Sequence, residues 1–193
     1  MVKLVGYKKV NTAVFISGNG TNLNSLIKFS KTRKSPISVS LIISDNPKAK
    51  GLKFGKINKI KKKVFNLKKK NKIENLMLSL LKKHEIKMIC LAGFMRILSR
   101  NFISRFGGKI LNIHPSLLPK YKGLNTHQRA IDNNEKYSGC TVHFVNSKLD
   151  SGKIILQKKV KISKNETKNS LSKKVLVQEH KIYPEAILKV FNL

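Results

Sequence analysis

A single α/β domain built on a mostly parallel sheet is what this chain of 193 residues predicts. Three observations carry the expectation. Short apolar runs alternate with amphipathic helical patterns from Ala13 to Ile113, the order that a parallel sheet covered by helices on both faces requires. After His114 the alternation stops, and two strand-like runs before a long helical pattern imply an antiparallel extension of the same sheet. No internal repeat or low-complexity linker divides the chain, so one domain over residues 1–193 is expected, long enough to bury a substantial core.

The elements follow in order. Ala13-Val-Phe-Ile16 is a short apolar strand that runs directly into Ser17-Gly-Asn-Gly-Thr-Asn22, and Leu23, Leu26, Ile27 and Phe29 then recur at helical spacing. Ile37 to Ile43 reads as a second strand, broken by Ser44-Asp-Asn-Pro47. A weak helix at Ala49 to Ile57 leads to a strand at Lys63-Val-Phe65, and Ile73, Leu76, Met77, Leu80 and Leu81 line one helix face. Met88 to Leu91 is a buried strand, Phe102, Ile103 and Phe106 mark a helix, and Ile110 to Ile113 is a strand bounded by Gly107-Gly108 and Pro115. Leu117 to Leu124 is loop, Thr126 to Asp132 helix, and Thr141 to Val145 and Ile154 to Ile162 strands. Leu171 to Val190 is helix, with an interruption expected near Pro184.

Charge sets an apparent function that the residue types argue against. The formal net charge is +32 and invites a nucleic-acid reading. Yet only five of the 41 basic residues are arginines, and the lysines are scattered through every element beside abundant Asn and Ile. These three residue types share A/T-rich codons, so the charge reads as composition bias on a tolerant surface, with no specific nucleic-acid partner. Two lysine clusters, residues 59–63 and 68–72, are dense enough to attract polyanions weakly. Cys90 and Cys140 lie in apolar runs without metal or redox spacing, as reduced core thiols of a cytoplasmic protein would. Neither a signal-peptide core nor an apolar run long enough for a bilayer is visible, so no membrane partner is expected.

Chemistry concentrates at Asn112-Ile-His114-Pro-Ser116. Residues two apart on extended backbone point the same way, so an amide and an imidazole there can grip one polar atom. Asp150, one of three aspartates, stands in Leu149-Asp-Ser-Gly152. Amide donor, imidazole and carboxylate are the groups that stabilise an oxyanion and move a proton. Asp-Ser-Gly is also ordinary turn chemistry. The glycine loop before the first helix offers backbone N–H groups at a helix N-terminus, an anion site in principle, but it has neither a dinucleotide fingerprint nor a P-loop. A plain glycine turn capped by Thr21 or Asn22 fits it equally. The other histidines, His84, His127, His143 and His180, read as structural, with His143 buried and hydrogen-bonded.

Asn112 to Pro119, Leu91-Ala-Gly-Phe-Met-Arg-Ile-Leu98, Thr141-Val-His-Phe-Val145, Gln178-Glu-His180 and the glycine loop occur in the order found in the phosphoribosylglycinamide formyltransferase family, which the chain resembles over nearly its whole length. The resemblance implies a Rossmann-like formyltransferase fold, 10-formyltetrahydrofolate as co-substrate, phosphoribosylglycinamide as acceptor and no metal. It makes Asn112, His114 and Asp150 catalytic, and places the substrate phosphate on Gly20, Thr21 and Asn22, with Glu179 at the ribose or amine. Folate would meet Met95, Arg96, Ile97 and Leu98 on one side and Asn112, Asn146, Ser147, Lys148, Leu149 and Asp150 on the other, with Lys70 at its tail. Asp150 would raise the His114 pKa. Thr21 replaces a common Ser, and Ser151 and Lys153 depart from the family's loop. Methionyl-tRNA formyltransferase and formyltetrahydrofolate hydrolase are the neighbouring resemblances; each carries a further domain, which is not expected here. A monomer or a homodimer is compatible with the pattern.

Overall fold

The computed structural model describes residues 8–66 and 70–193, apart from the side chains of residues 70 and 71. The elements are β1 (Val10–Ile16), α1 (Thr21–Ser30), β2 (Ile37–Ser44), α2 (Leu52–Ile57), β3 (Lys61–Val64), α3 (Lys70–Lys83), β4 (Met88–Leu91), α4 (Arg100–Phe106), β5 (Lys109–His114), α5 (Thr126–Asp132), β6 (Tyr137–Phe144), β7 (Ile154–Lys161) and α6 (Lys168–Val190). They form one seven-stranded sheet in the order β3-β2-β1-β4-β5-β6-β7. The first five strands pair in parallel; β6 is antiparallel to both β5 and β7. The chain's direction of growth across the sheet reverses between β1 and β4, the switch point where such sheets open a crevice at their carboxyl ends.

The alternation of side chains along β1 explains why its sequence is apolar without a break. Val14 and Ile16 pack with Leu23, Leu26, Tyr183 and Ile187 on one face, and Ala13 and Phe15 with Met77, Leu81 and Phe102 on the other. All four β1 residues are completely buried, as a central parallel strand demands. Tyr183 reaches under the sheet, and its hydroxyl lies within hydrogen-bond distance of the Leu91 and Leu111 carbonyls, 3.1 and 3.2 Å away. Burial pushes the neighbouring Cys90 thiol up to about 12, so it stays protonated as a core thiol.

Some boundaries differ from the sequence reading. β3 occupies Lys61–Val64, earlier than the expected Lys63–Phe65. It is one of the two edge strands, so its exposed lysines cost little and blunt pairing with another chain. β6 begins at Tyr137 because its antiparallel partner β7 extends the ladder that far. The expected interruption at Pro184 is absent: α6 is a continuous helix of 23 residues. Proline supplies no N–H for the His180 carbonyl, and the Ser25 hydroxyl of α1 donates to that carbonyl instead, at 3.0 Å. Among the described residues, no helix is long and apolar enough to cross a membrane.

Candidate active site

The carboxyl ends of β4 and β5 open into a cavity of about 820 Å³, within the range of small-molecule sites. Asn112 and His114 stand there because β5 is held in register on both sides, Asn112 opposite Leu91 of β4 and opposite His143 of β6. The Asn112 amide nitrogen Nδ2 is 3.2 Å from His143 Nε2 and donates to Asp150 Oδ1 at 3.4 Å. His143 Nδ1 lies 2.8 Å from the Phe144 carbonyl, which can only accept. That fixes the proton on Nδ1 and leaves Nε2 of the neutral ring as an acceptor for Asn112.

The same logic sets His114. Its Nε2 donates to the Tyr121 carbonyl at 2.8 Å, which turns Nδ1 toward Asp150 Oδ2 at 3.3 Å. Oδ2 also accepts the Gly123 N–H at 2.9 Å. One carboxylate thus gathers donors from Asn112 and from the loop, and it faces a His114 Nδ1 that donates only when the ring carries both protons. Asp150 adopts a left-handed φ of 43°, a strained conformation for a non-glycine residue that these bonds sustain. Burial pushes the Asp150 carboxyl up, but His143, the Gly123 N–H and His114 together hold it below its ordinary value. For His114 burial wins: it pulls the imidazole below its ordinary pKa, although the Tyr121 carbonyl and Asp150 act upward. The expected effect of Asp150 is therefore present in sign and outweighed in sum.

The loop that supplies Tyr121 is braced at several points. Ser116 donates to the Lys120 carbonyl at 2.6 Å, and the Thr141 hydroxyl donates to the Ser116 carbonyl at 2.6 Å while accepting from Leu118 N–H. Gln157 of β7 donates to Leu118 and Thr141. The Tyr121 hydroxyl donates to Glu135, and Arg129 donates to the Lys122 carbonyl while its guanidinium lies over the Tyr121 ring, 5.2 Å from the centroid. None of these partners is adjacent in sequence.

At the other end stands the N-terminus of α1. Gly20 is the N-cap with φ 71°, and a Cβ there would lie 2.6 Å from Gly51 Cα, so only glycine fits. Neither Thr21 nor Asn22 caps the helix with its side chain. The first helical bond is Asn24 N–H to Gly20 O, which leaves the preceding N–H groups ahead of it, with no acidic residue in the first turn. The Asn22 side chain turns inward, where Nδ2 donates to Glu179 Oε2 at 2.6 Å. Burial pushes the Glu179 carboxyl up, and the Asn22 bond pulls against it. Asn22 lines the cavity; Gly20 and Thr21 lie outside its wall.

Met95, Ile97, Leu124 and Leu149 form an exposed apolar lip, while Leu98 is buried beneath it. Asn146, Lys148, Leu149 and Asp150 also line the cavity; Ser147 does not. Arg96 lines the cavity and is paired with Asp45. The side chain of Lys70 lies outside the described residues. Three wall residues were read as structural or passed over in the sequence: His143, His127 and Lys168. His143 is buried, as expected, but it meets both Asn112 and Asp150. Its place in Thr141-Val-His-Phe-Val145, one of the segments that carry the family resemblance, was the available signal. His127 keeps Nδ1 buried with no hydrogen-bond partner, and burial, then Lys168, lowers its pKa. Nothing local marks Lys168, which reaches this wall from the first turn of α6.

Comparison with known proteins places this geometry. The formyl transferase family matches residues 10–187. The phosphoribosylglycinamide formyltransferase of Haemophilus influenzae is 42% identical over 91% of this chain and 84% of its own length. That of Escherichia coli is 41% identical over 92% and 85%. The human trifunctional purine biosynthetic protein adenosine-3 is 42% identical over 93% of this chain, which spans 18% of that longer protein. The crystal structure of the Brucella melitensis phosphoribosylglycinamide formyltransferase is similar with a TM-score of 0.89 and 40% identity, covering 95% of this chain and 96% of that one. Sequence and fold thus agree over almost the full length, and the chain belongs to the formyl transferase family, in its phosphoribosylglycinamide formyltransferase group.

Proposed function

We propose that this chain transfers the formyl group of 10-formyltetrahydrofolate to the amine of 5-phosphoribosylglycinamide, as a soluble cytoplasmic enzyme of de novo purine biosynthesis. One observation carries the reading: Asn112 Nδ2 and His114 Nδ1 both address the carboxylate of Asp150 inside the cavity. An amide donor beside an imidazole that donates through Nδ1 once protonated, with Nε2–H held on the Tyr121 carbonyl, is equipped to grip the oxyanion of a formyl-transfer intermediate. The amine attacks the formyl carbon, the new C–N bond forms, and the bond from that carbon to folate N10 breaks. The amine gives up a proton and N10 receives one. Asn112 donates to the oxyanion, His114 adds a proton or its positive charge, and Asp150 sustains that charge and orders the proton's path. Both Asp150 contacts are long, 3.3 and 3.4 Å, so a stronger acceptor displaces them readily.

The phosphate seats on the N–H groups at Gly20, Thr21 and Asn22, with Glu179 at the ribose or amine beside Asn22. The folate ring enters between the Met95–Leu98 lip and Asn146 to Asp150, and Lys70 addresses its tail. Holding amine and formyl carbon together supplies much of the acceleration. Purified protein, both substrates and measurement of formylated product test the reading. Steady turnover supports it; no formyl transfer to phosphoribosylglycinamide under conditions where 10-formyltetrahydrofolate is stable overturns it.

A further inference from the structure

Ser17 ends the run of β1 just before the anion loop, and it is tied to two other loops. Its N–H donates to the Gly93 carbonyl at 3.0 Å, and its carbonyl accepts from Asn46 Nδ2 at 3.0 Å. Its hydroxyl accepts the Met95 N–H at 2.8 Å and donates to Asp45 Oδ1 at 2.5 Å. The other oxygen of Asp45 accepts from Arg96 Nε at 2.8 Å. The Asp45 side chain is 6% exposed and that of Arg96 is 59% exposed, so a buried carboxylate is the fixed end and the arginine the outer one. Ser17 and Asp45 therefore join the segment that presents N–H groups to an anion to the Met95–Leu98 lip. Neither segment shifts without disturbing bonds to the other, and the bond to Arg96 joins two charged groups.

We infer that Asp45 is a positioning residue that couples the two substrate sites. An anion seated at the α1 N-terminus steadies Ser17. The Asp45 carboxylate accepts the Ser17 O–H and so turns that oxygen to accept the Met95 N–H, while its other oxygen holds the Arg96 side chain, which steadies the segment that receives the flat apolar ligand. By linkage the flat ligand tightens the anion in equal measure. The inference rests on the substrate assignment proposed above, and it adds a named route between the two sites.

Titration calorimetry on the whole protein tests it, with tetrahydrofolate and phosphoribosylglycinamide as ligands, a pair that cannot react because no formyl group is present. In the wild type, saturating phosphoribosylglycinamide should tighten tetrahydrofolate about fivefold or more, the lower end of usual couplings. Asp45→Ala should bring that ratio to within about twofold of one. Arg96→Gln, at an exposed side chain whose loss leaves the core intact, should lower it too. Asp45→Asn keeps an acceptor for Ser17 but cannot pair with Arg96 by charge, and should fall between wild type and Asp45→Ala. A wild-type ratio near one, or a wild-type ratio retained in both Asp45→Ala and Arg96→Gln, overturns the coupling while leaving the substrates in place. A wild-type protein that binds neither ligand overturns the substrate assignment, and the coupling with it.

Discussion

Asn112→Ala separates the chemistry of the site from its architecture. Residue 112 lies within the β4–β5–β6 ladder, paired with Leu91 on one side and His143 on the other, so truncating the side chain leaves the backbone where it is. The variant removes one amide whose nitrogen meets His143 Nε2 at 3.2 Å and Asp150 Oδ1 at 3.4 Å. In the wild type one N–H stays engaged with His143 throughout, so only the N–H aimed at Asp150 is free for an oxyanion. One donor is therefore lost, and kcat should fall about a hundredfold, on the order of 3 kcal/mol. The KM for phosphoribosylglycinamide should change by no more than about threefold, because its phosphate is bound remotely. Folding should suffer little: His143 and Asp150 each lose a partner at the edge of an open cavity that admits water, about 1 kcal/mol in all. For a domain of this size that is a fall in Tm of about 2–4 °C. Initial rates of formyl transfer and a thermal melt measure both quantities. A kcat within about tenfold of wild type, with the fold intact, would refute the assignment of Asn112 as an oxyanion donor.

Other outcomes follow from the same geometry. Asp150→Asn should move the His114 pKa further down, since burial would then act without the opposing carboxylate, and NMR titration of the ring in both proteins reads it; an unchanged value with near-normal turnover makes Asp150 a turn residue only. Gly152→Ala should destabilise the protein by about 2 kcal/mol or more and disrupt the Asp150 loop, because the new Cβ would lie 1.7 Å from the Phe144 carbonyl oxygen. The half-buried Ser151→Ala, which loses only its surface bonds to Lys122 and Leu149, should cost no more than about 1 kcal/mol when both variants are titrated with denaturant. His114, His127 and His180 all have lowered pKa values, chiefly through burial. Below pH 6.5 the unfolded chain binds protons that the folded state resists, so stability falls on acidification and recovers above that pH. The lowered carboxylates of Glu135, Asp150 and Glu166 extend the loss at lower pH, and Glu179, with its raised pKa, opposes it. Melts between about pH 7.5 and 5.5 check the sign, and a Tm that rises on acidification contradicts it.

The sequence alone determined the order and type of the elements, because apolar periodicity and glycine and proline punctuation are local properties. Asn112 and His114 were legible for the same reason: two residues apart on one strand, they had to share a face. Asp150 stood out only as a scarce carboxylate in a turn-like segment and Glu179 only through the family resemblance, with no local periodicity linking either to β5. Tertiary structure decided everything that depends on partners distant in the chain. It placed His143 against Asn112 through an antiparallel register, carried Lys168 to the cavity wall, and joined Asp45 to both Ser17 and Arg96. It also kept α6 continuous through Pro184, where a serine 155 residues from His180 donates to the carbonyl that the proline cannot serve. The net shift of His114 belongs to the same class. A neighbouring carboxylate can be guessed from a motif, but the burial that outweighs it exists only once the loop after β5 has closed over the ring.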